Sequence, residues 1–120
     1  MGTKVVINAR YQGSFRLSTE ALTLYAQRKG GALKRLRRCD YIEFPDGRMY
    51  TPRFDDRTDA DLIAVIEALG TDAASGEYCQ LEIVTIPDDV TQWFISEGDG
   101  DEAVYEGWRG REFYGKAVKV

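Results

Sequence analysis

The 120-residue chain has no histidine and only two cysteines, Cys39 and Cys79. Without imidazole it has neither a Ser-His nor a Cys-His pair, and it lacks the usual general base near neutral pH. A structural zinc site takes four Cys or His ligands, so two distant cysteines without a CxxC partner exclude one. In a reducing compartment they are expected to be two free thiols. Long apolar runs are missing too. None approaches the roughly 20 residues that cross a bilayer, and TKVVIN follows Met1-Gly2 directly where a secretory leader would need a longer apolar stretch. No membrane association is expected, and the cytoplasm is the expected location. No catalytic residue, metal or cofactor is assigned. What remains is the chemistry of carboxylates, Lys and Arg, which places binding ahead of catalysis.

What is present is ordinary for a folded domain. Hydrophobic residues make up 43% and charged residues 30%, enough for one core and one domain over residues 1–120. The charge is uneven. Residues 1–57 carry 12 Lys/Arg against 6 Asp/Glu, residues 58–120 carry 4 against 14, and the net charge is −4. Such polarity points to an anion-attracting face or to complementary packing between subunits, and self-association is compatible with it. Overall acidity argues against a protein that coats DNA.

Periodicity and turn residues predict an α+β fold. TKVVIN (3–8) is β-branched and reads as a strand, and residues 9–17 form a loop with Gly13. Ser18 suits an N-cap and Glu20 favours the positive end of a helix that runs to about Lys29, where Gly30-Gly31 stops it. Residues 32–38 are expected as a short helix or an irregular basic arm. CDYIEF (39–44), a turn at Pro45–Arg48 and MYTPRF form a hairpin, with Pro52 confining the return strand to an edge or falling at its end. A second helix spans 58–69, with Thr58 and Asp61 as a capping-box pair and Gly70 as its stop. Strands follow at 79–86, 91–96 and 102–108, the last two joined by an acidic glycine-rich tip, and GKAVKV is a final strand or a tail. Strands after helices imply a largely antiparallel sheet with the two main helices on one face.

Three clusters are candidates for function. The loop and helix start after the first strand offer backbone N–H groups with Arg10, Arg16 and the Ser18 hydroxyl, a setting that attracts phosphates and carboxylates. Tyr11 and Phe15 have faces on which a base could stack. The loop lacks both GxxxxGK[ST] and GxGxxG, and a plain capped helix with its aromatics in the core explains the same residues. Arg57, just before the second helix, suits a bidentate contact to phosphate or carboxylate, or an ion pair with Asp55, Asp56 or Asp59. The basic segment 28–38, with Lys34, Arg35, Arg37 and Arg38, suits nucleic-acid phosphates, although no aromatic is interleaved for stacking. The acidic tip (Glu97, Asp99, Asp101, Glu102) fails EF-hand spacing and reads as a solvated turn, as does Asp88-Asp89.

Several segments together resemble a group of small proteins encoded by tailed bacteriophages. They are KVVIN, the aromatic-glycine loop, Leu17-Ser18 before a helix, Arg57-Thr58-Asp59-Ala60-Asp61-Leu62, Glu67-Ala68-Leu69-Gly70, Ile86-Pro87-Asp88-Asp89-Val90, Asp99-Gly100 and Trp108. The similarity covers most of the chain, whereas the basic segment and hairpin at 28–53 fall where the group varies. The loop Tyr11-Gln12-Gly13-Ser14-Phe15 is longer than the Tyr-Gly-Gly-Phe of that group. The resemblance implies a phage accessory protein that antagonises a process of the bacterial host, such as a defence, by binding. The expected partner is a host protein or a small anionic, nucleotide-type ligand held by Arg10, Tyr11, Gly13, Arg16, Ser18 and Arg57. A nucleic-acid-binding regulator that uses residues 28–38 is the alternative.

Overall fold

Four consecutive residues of the first strand, Val5 to Asn8, are all buried, because both faces of the strand are covered. In the computed structural model, which describes residues 2–37, 39–107 and 112–113, this strand, β1 (Thr3–Asn8), pairs antiparallel with β5 (Leu81–Ile86). The register sets Val5 opposite Val84 and Val6 opposite Ile83, so alternate pairs face opposite sides. On one side Val6, Leu81 and Ile83 meet α1 (Thr19–Arg28), α2 (Ala60–Leu69) and α3 (Thr71–Ala74) in the larger core cluster. On the other, Val5, Ile7, Val84 and Ile86 pack with Val104, Trp93 and Phe113. These three come from a meander of β6 (Trp93–Gly98), β7 (Asp101–Glu106) and β8 (Glu112–Phe113). A two-stranded ribbon therefore lies between a helical layer and a second sheet.

A third sheet is formed by β2 (Ala32–Leu36), β3 (Cys39–Glu43) and β4 (Met49–Tyr50). All described strand pairings are antiparallel, as the α+β reading requires, but the single expected sheet is divided into three. The basic segment is neither a helix nor an irregular arm. It is a strand paired with β3, in which Leu33 sits opposite Ile42, which is fully buried. Pairing with β3 thus overrides the helix preference of Lys and Arg. Arg37 takes a φ of +60° in the turn that follows. The return strand stops at Tyr50, two residues before Pro52. The last hairpin closes more tightly than expected: Asp99 (φ +53°) and Gly100 (φ +86°) alone connect β6 to β7, as in a type I′ turn. The GKAVKV segment and Trp108 lie outside the described residues.

Helix α1 begins as its sequence suggests. The Ser18 hydroxyl accepts from the Ala21 N–H at 3.1 Å and donates to the Ala73 carbonyl at 2.7 Å, which ties the cap to α3. Helix α2 is capped by Asp59 rather than Thr58, whose hydroxyl instead donates to Asp56 at 2.6 Å. Asp is at least as good a cap as Thr, and here its carboxylate does more. It accepts the Tyr25 hydroxyl at 2.7 Å and pairs with Lys29 at 3.1 Å, while Asp61 takes Arg28 and Lys29. The basic last turn of α1 thereby meets the acidic first turn of α2, which favours both helix dipoles.

These contacts set a pH dependence. Burial pushes the Asp59 carboxyl up, but hydrogen bonds from Tyr25 and Lys29 outweigh this and hold it below its usual value; hydrogen bonding to Lys29 lowers Asp61. A carboxylate depressed in the folded state stabilises fully above its unfolded pKa, about 3.9, and that contribution is lost as pH falls through the lower folded value. Urea unfolding should therefore show stability falling below about pH 4. In Asp59→Asn that acid slope should be shallower, and stability at neutral pH lower by up to about 1 kcal/mol from the lost ion pair with Lys29, since Asn caps a helix as well as Asp does.

Candidate functional site

The joint after β1 is organised by Asn8, which is fully buried. Its Oδ1 accepts from the N–H groups of Arg10 and Gln80 at 3.1 and 3.0 Å, and its Nδ2 donates to the Gly100 carbonyl at 2.8 Å. One amide thus ties the end of β1 to the loop after it, to the chain entering β5 and to the β6–β7 turn. The loop then lies on that turn. Gln12 donates to the Asp99 carbonyl at 2.6 Å, and a Cβ at Gly100 would collide with the Gly13 backbone. The Gly13 N–H donates to the Arg10 carbonyl at 3.0 Å and the Ser14 N–H to the Tyr78 carbonyl at 3.1 Å, so these two amides are engaged within the protein.

Arg57 faces inward. Its guanidinium grips the Glu102 carboxylate with two bonds of 2.6 and 3.0 Å, and the two side chains are only 16% and 10% exposed. Its Nε donates to the Phe54 carbonyl at 2.6 Å, and the plane lies over the Phe15 ring at 3.7 Å. Asp55 and Asp56 are exposed and Asp59 caps α2, so the partner is Glu102, 45 residues away, and none of the three aspartates the sequence suggested. Glu102 Oε1 also accepts the Asn8 N–H at 2.8 Å, while Val6 N–H donates to the Arg57 carbonyl at 2.9 Å. The free edge of β1 is closed by this pair where another strand would lie.

The six residues assigned from sequence therefore occupy three places. Arg57 is internal. Arg10 and Tyr11 are exposed, Tyr11 by 63%, with the Arg10 guanidinium 5.5 Å from the Tyr78 ring and Gly13 in the loop beneath. Arg16 and Ser18 lie together on the wall of a groove of about 570 Å³. Pocket volumes of this size are typical of small-ligand sites.

The groove runs between the start of α1, the β2–β3 hairpin and residues 51–54. Phe15, Leu22 and Phe54 give it an apolar wall, and Arg16, Arg35 and Arg53 bring three guanidinium groups to it. Phe54 has a φ of +55°, uncommon for a bulky residue. It is held there by Phe15 and Tyr25, with ring centroids at 5.6 and 5.2 Å, and by the Arg57 bond to its carbonyl. Arg57 thus shapes the groove without entering it. Two of these guanidinium groups, Arg35 and Arg53, were not assigned to this site from sequence. No local pattern signals this: only the pairing register puts Arg35 and Asp40 opposite each other, two residues along from the Leu33–Ile42 pair.

Three residues of the basic segment have carboxylate partners. Arg28 and Lys29 pair with Asp61 and Asp59, and Arg35 pairs with Asp40. Lys34 and Arg37 are exposed, and Arg38 lies outside the described residues. Cys39 is exposed and Cys79 buried, both free; burial raises the Cys79 thiol. Among the described residues no three His, Cys, Asp or Glu are placed to hold a metal ion, and no helix is long and apolar enough to cross a membrane.

Removing one member of a buried ion pair leaves the other charge stranded. Arg57→Ala is expected to lower stability by about 3–5 kcal/mol in urea titrations. Arg57→Lys should lose less, since it keeps the charge but not the fork. An unchanged midpoint in Arg57→Ala would show that the pair contributes nothing. Compared with models of known protein families, with curated proteins and with solved structures, the chain matches none.

Proposed function

We propose that this is a non-enzymatic binding protein whose groove takes a small anionic, nucleotide-type ligand. The observation that supports this most is the convergence of Arg16, Arg35 and Arg53 on one concavity beside the start of α1. Arginine suits phosphate because its planar fork makes two parallel charge-assisted bonds. Arg16 and Arg53 make no ion pair among the described residues, so their donors are available to a ligand. Phe15, Leu22 and Phe54 supply the apolar surface that a base or sugar would cover. Asp40 and Glu77 at the same groove work against a large negative charge, which favours a ligand with few phosphates. In keeping with the resemblance to small proteins of tailed bacteriophages, capture of such a ligand would antagonise a host process that depends on it.

The nucleic-acid alternative draws less support. Arg28 and Lys29 already have carboxylate partners, and the strand that carries Lys34 and Arg35 presents no aromatic of its own for stacking.

Calorimetric titration with AMP, ADP, ATP and inorganic pyrophosphate tests the proposal. Wild type is expected to bind at least one of the nucleotides, with affinity that falls as salt rises. Arg53→Ala should weaken that binding about tenfold, roughly 1.4 kcal/mol, without a change in urea midpoint, because the residue is exposed. Absence of binding to all four compounds at low salt would refute the reading.

A further inference from the structure

One carboxylate already occupies the position that an incoming phosphate would seek. Arg35 and Asp40 are directly opposed across β2 and β3, and the fork closes on the carboxylate with Nε–Oδ1 at 2.7 Å and Nη2–Oδ2 at 3.3 Å. Both residues border the groove that contains Arg16 and Arg53. The hydrogen bond from Arg35 lowers the Asp40 carboxyl below its usual value, partial burial opposes this, and the charge of Arg16 also contributes. Asp40 therefore sits within the field of two of the three guanidinium groups and stays ionised at neutral pH. It presents to Arg35 the same two-oxygen edge that a phosphate would.

Resting on the proposed function, we infer that Asp40 is a built-in competitor: its carboxylate holds the Arg35 fork, and a phosphate ligand binds by displacing it. The pair is a latch rather than a lock. The Arg35 side chain is 64% exposed, and ion pairs at such exposed positions are weak, so a phosphate of higher charge density can take the fork. The hairpin stays in place during the exchange, since Leu33 and Ile42, two positions along, remain packed at the core. Asp40 then sets the threshold concentration at which the groove fills, and it selects for ligands able to engage a fork over singly bonding anions.

Calorimetry with ADP as the probe tests this in wild type, Asp40→Asn, Arg35→Ala, the double variant and Glu77→Gln. Asp40→Ser serves as a second variant at the same position, and urea midpoints verify folding. Both Asp40 variants are expected to bind ADP about fivefold more tightly than wild type. That gain should vanish when Arg35 is also Ala, because only the freed fork produces it. A gain that persists without Arg35, or that Glu77→Gln matches, would mean simple charge removal and overturn the latch. Equal or weaker binding in the Asp40 variants overturns it as well. If neither wild type nor any variant binds ADP or the other probes, the groove reading itself falls; wild-type binding with no effect at Asp40 overturns the latch alone.

Discussion

The buried ion pair between Arg57 and Glu102 is the constraint on which the rest of the structure depends. It joins the segment before α2 to β7, and through Asn8 and Val6 it closes the exposed edge of β1. A free strand edge invites pairing with other chains, and proteins commonly cover it with a loop or a charge. Here one fork, one carboxylate and one backbone exchange provide the cover. The same arginine fixes the Phe54 carbonyl and sits over the Phe15 ring, so the wall of the groove inherits its geometry from an interaction inside the core.

Part of the opposite charge of the two halves of the chain is paired within the molecule. Lys4 meets Glu67, Arg28 meets Asp61, Lys29 meets Asp59 and Asp61, and Arg57 meets Glu102. Each pair joins a residue before position 58 to one after it. What is left of the basic half is concentrated at the groove, on the loop at Arg10 and on the outer face and turn of the β2–β3 hairpin. The local excess of positive charge is therefore smaller than the sequence totals suggest, and its placement matters more than its size.

The parts of the fold that the sequence reveals are those fixed by local rules. Ser18 and the Gly30-Gly31 stop delimit α1, the apolar face of 60–69 announces α2, and Asp99-Gly100 marks a hairpin. The strand at 32–36 is hidden because its residues favour helices individually and become a strand only against β3. Thr58 and Asp59 are both good caps, and only the positions of Tyr25 and Lys29 decide between them. The site follows the same division. Arg16 and Ser18 are legible as neighbours at a helix start, whereas Arg35 and Arg53 reach them only through tertiary packing. No local pattern connects Arg57 with Glu102, 45 residues away; that pair exists because two layers meet at β1.

The central ribbon has a consequence in time as well as in space. Thr3 pairs with Ile86 and Asn8 with Leu81, so the middle layer unites segments more than 70 residues apart. Contacts so distant along the chain are reached only after a large loop has been closed, and that entropy must be met before any stabilisation returns. During synthesis β1 emerges well before β5, so it has no partner strand until β5 follows and no cover for its edge until Glu102 does. The helices and the β2–β3 hairpin can form early, while the strand that organises the molecule is completed late. Folding of this chain is therefore a closing step rather than a growing one, with β1 held in waiting until its last neighbours arrive.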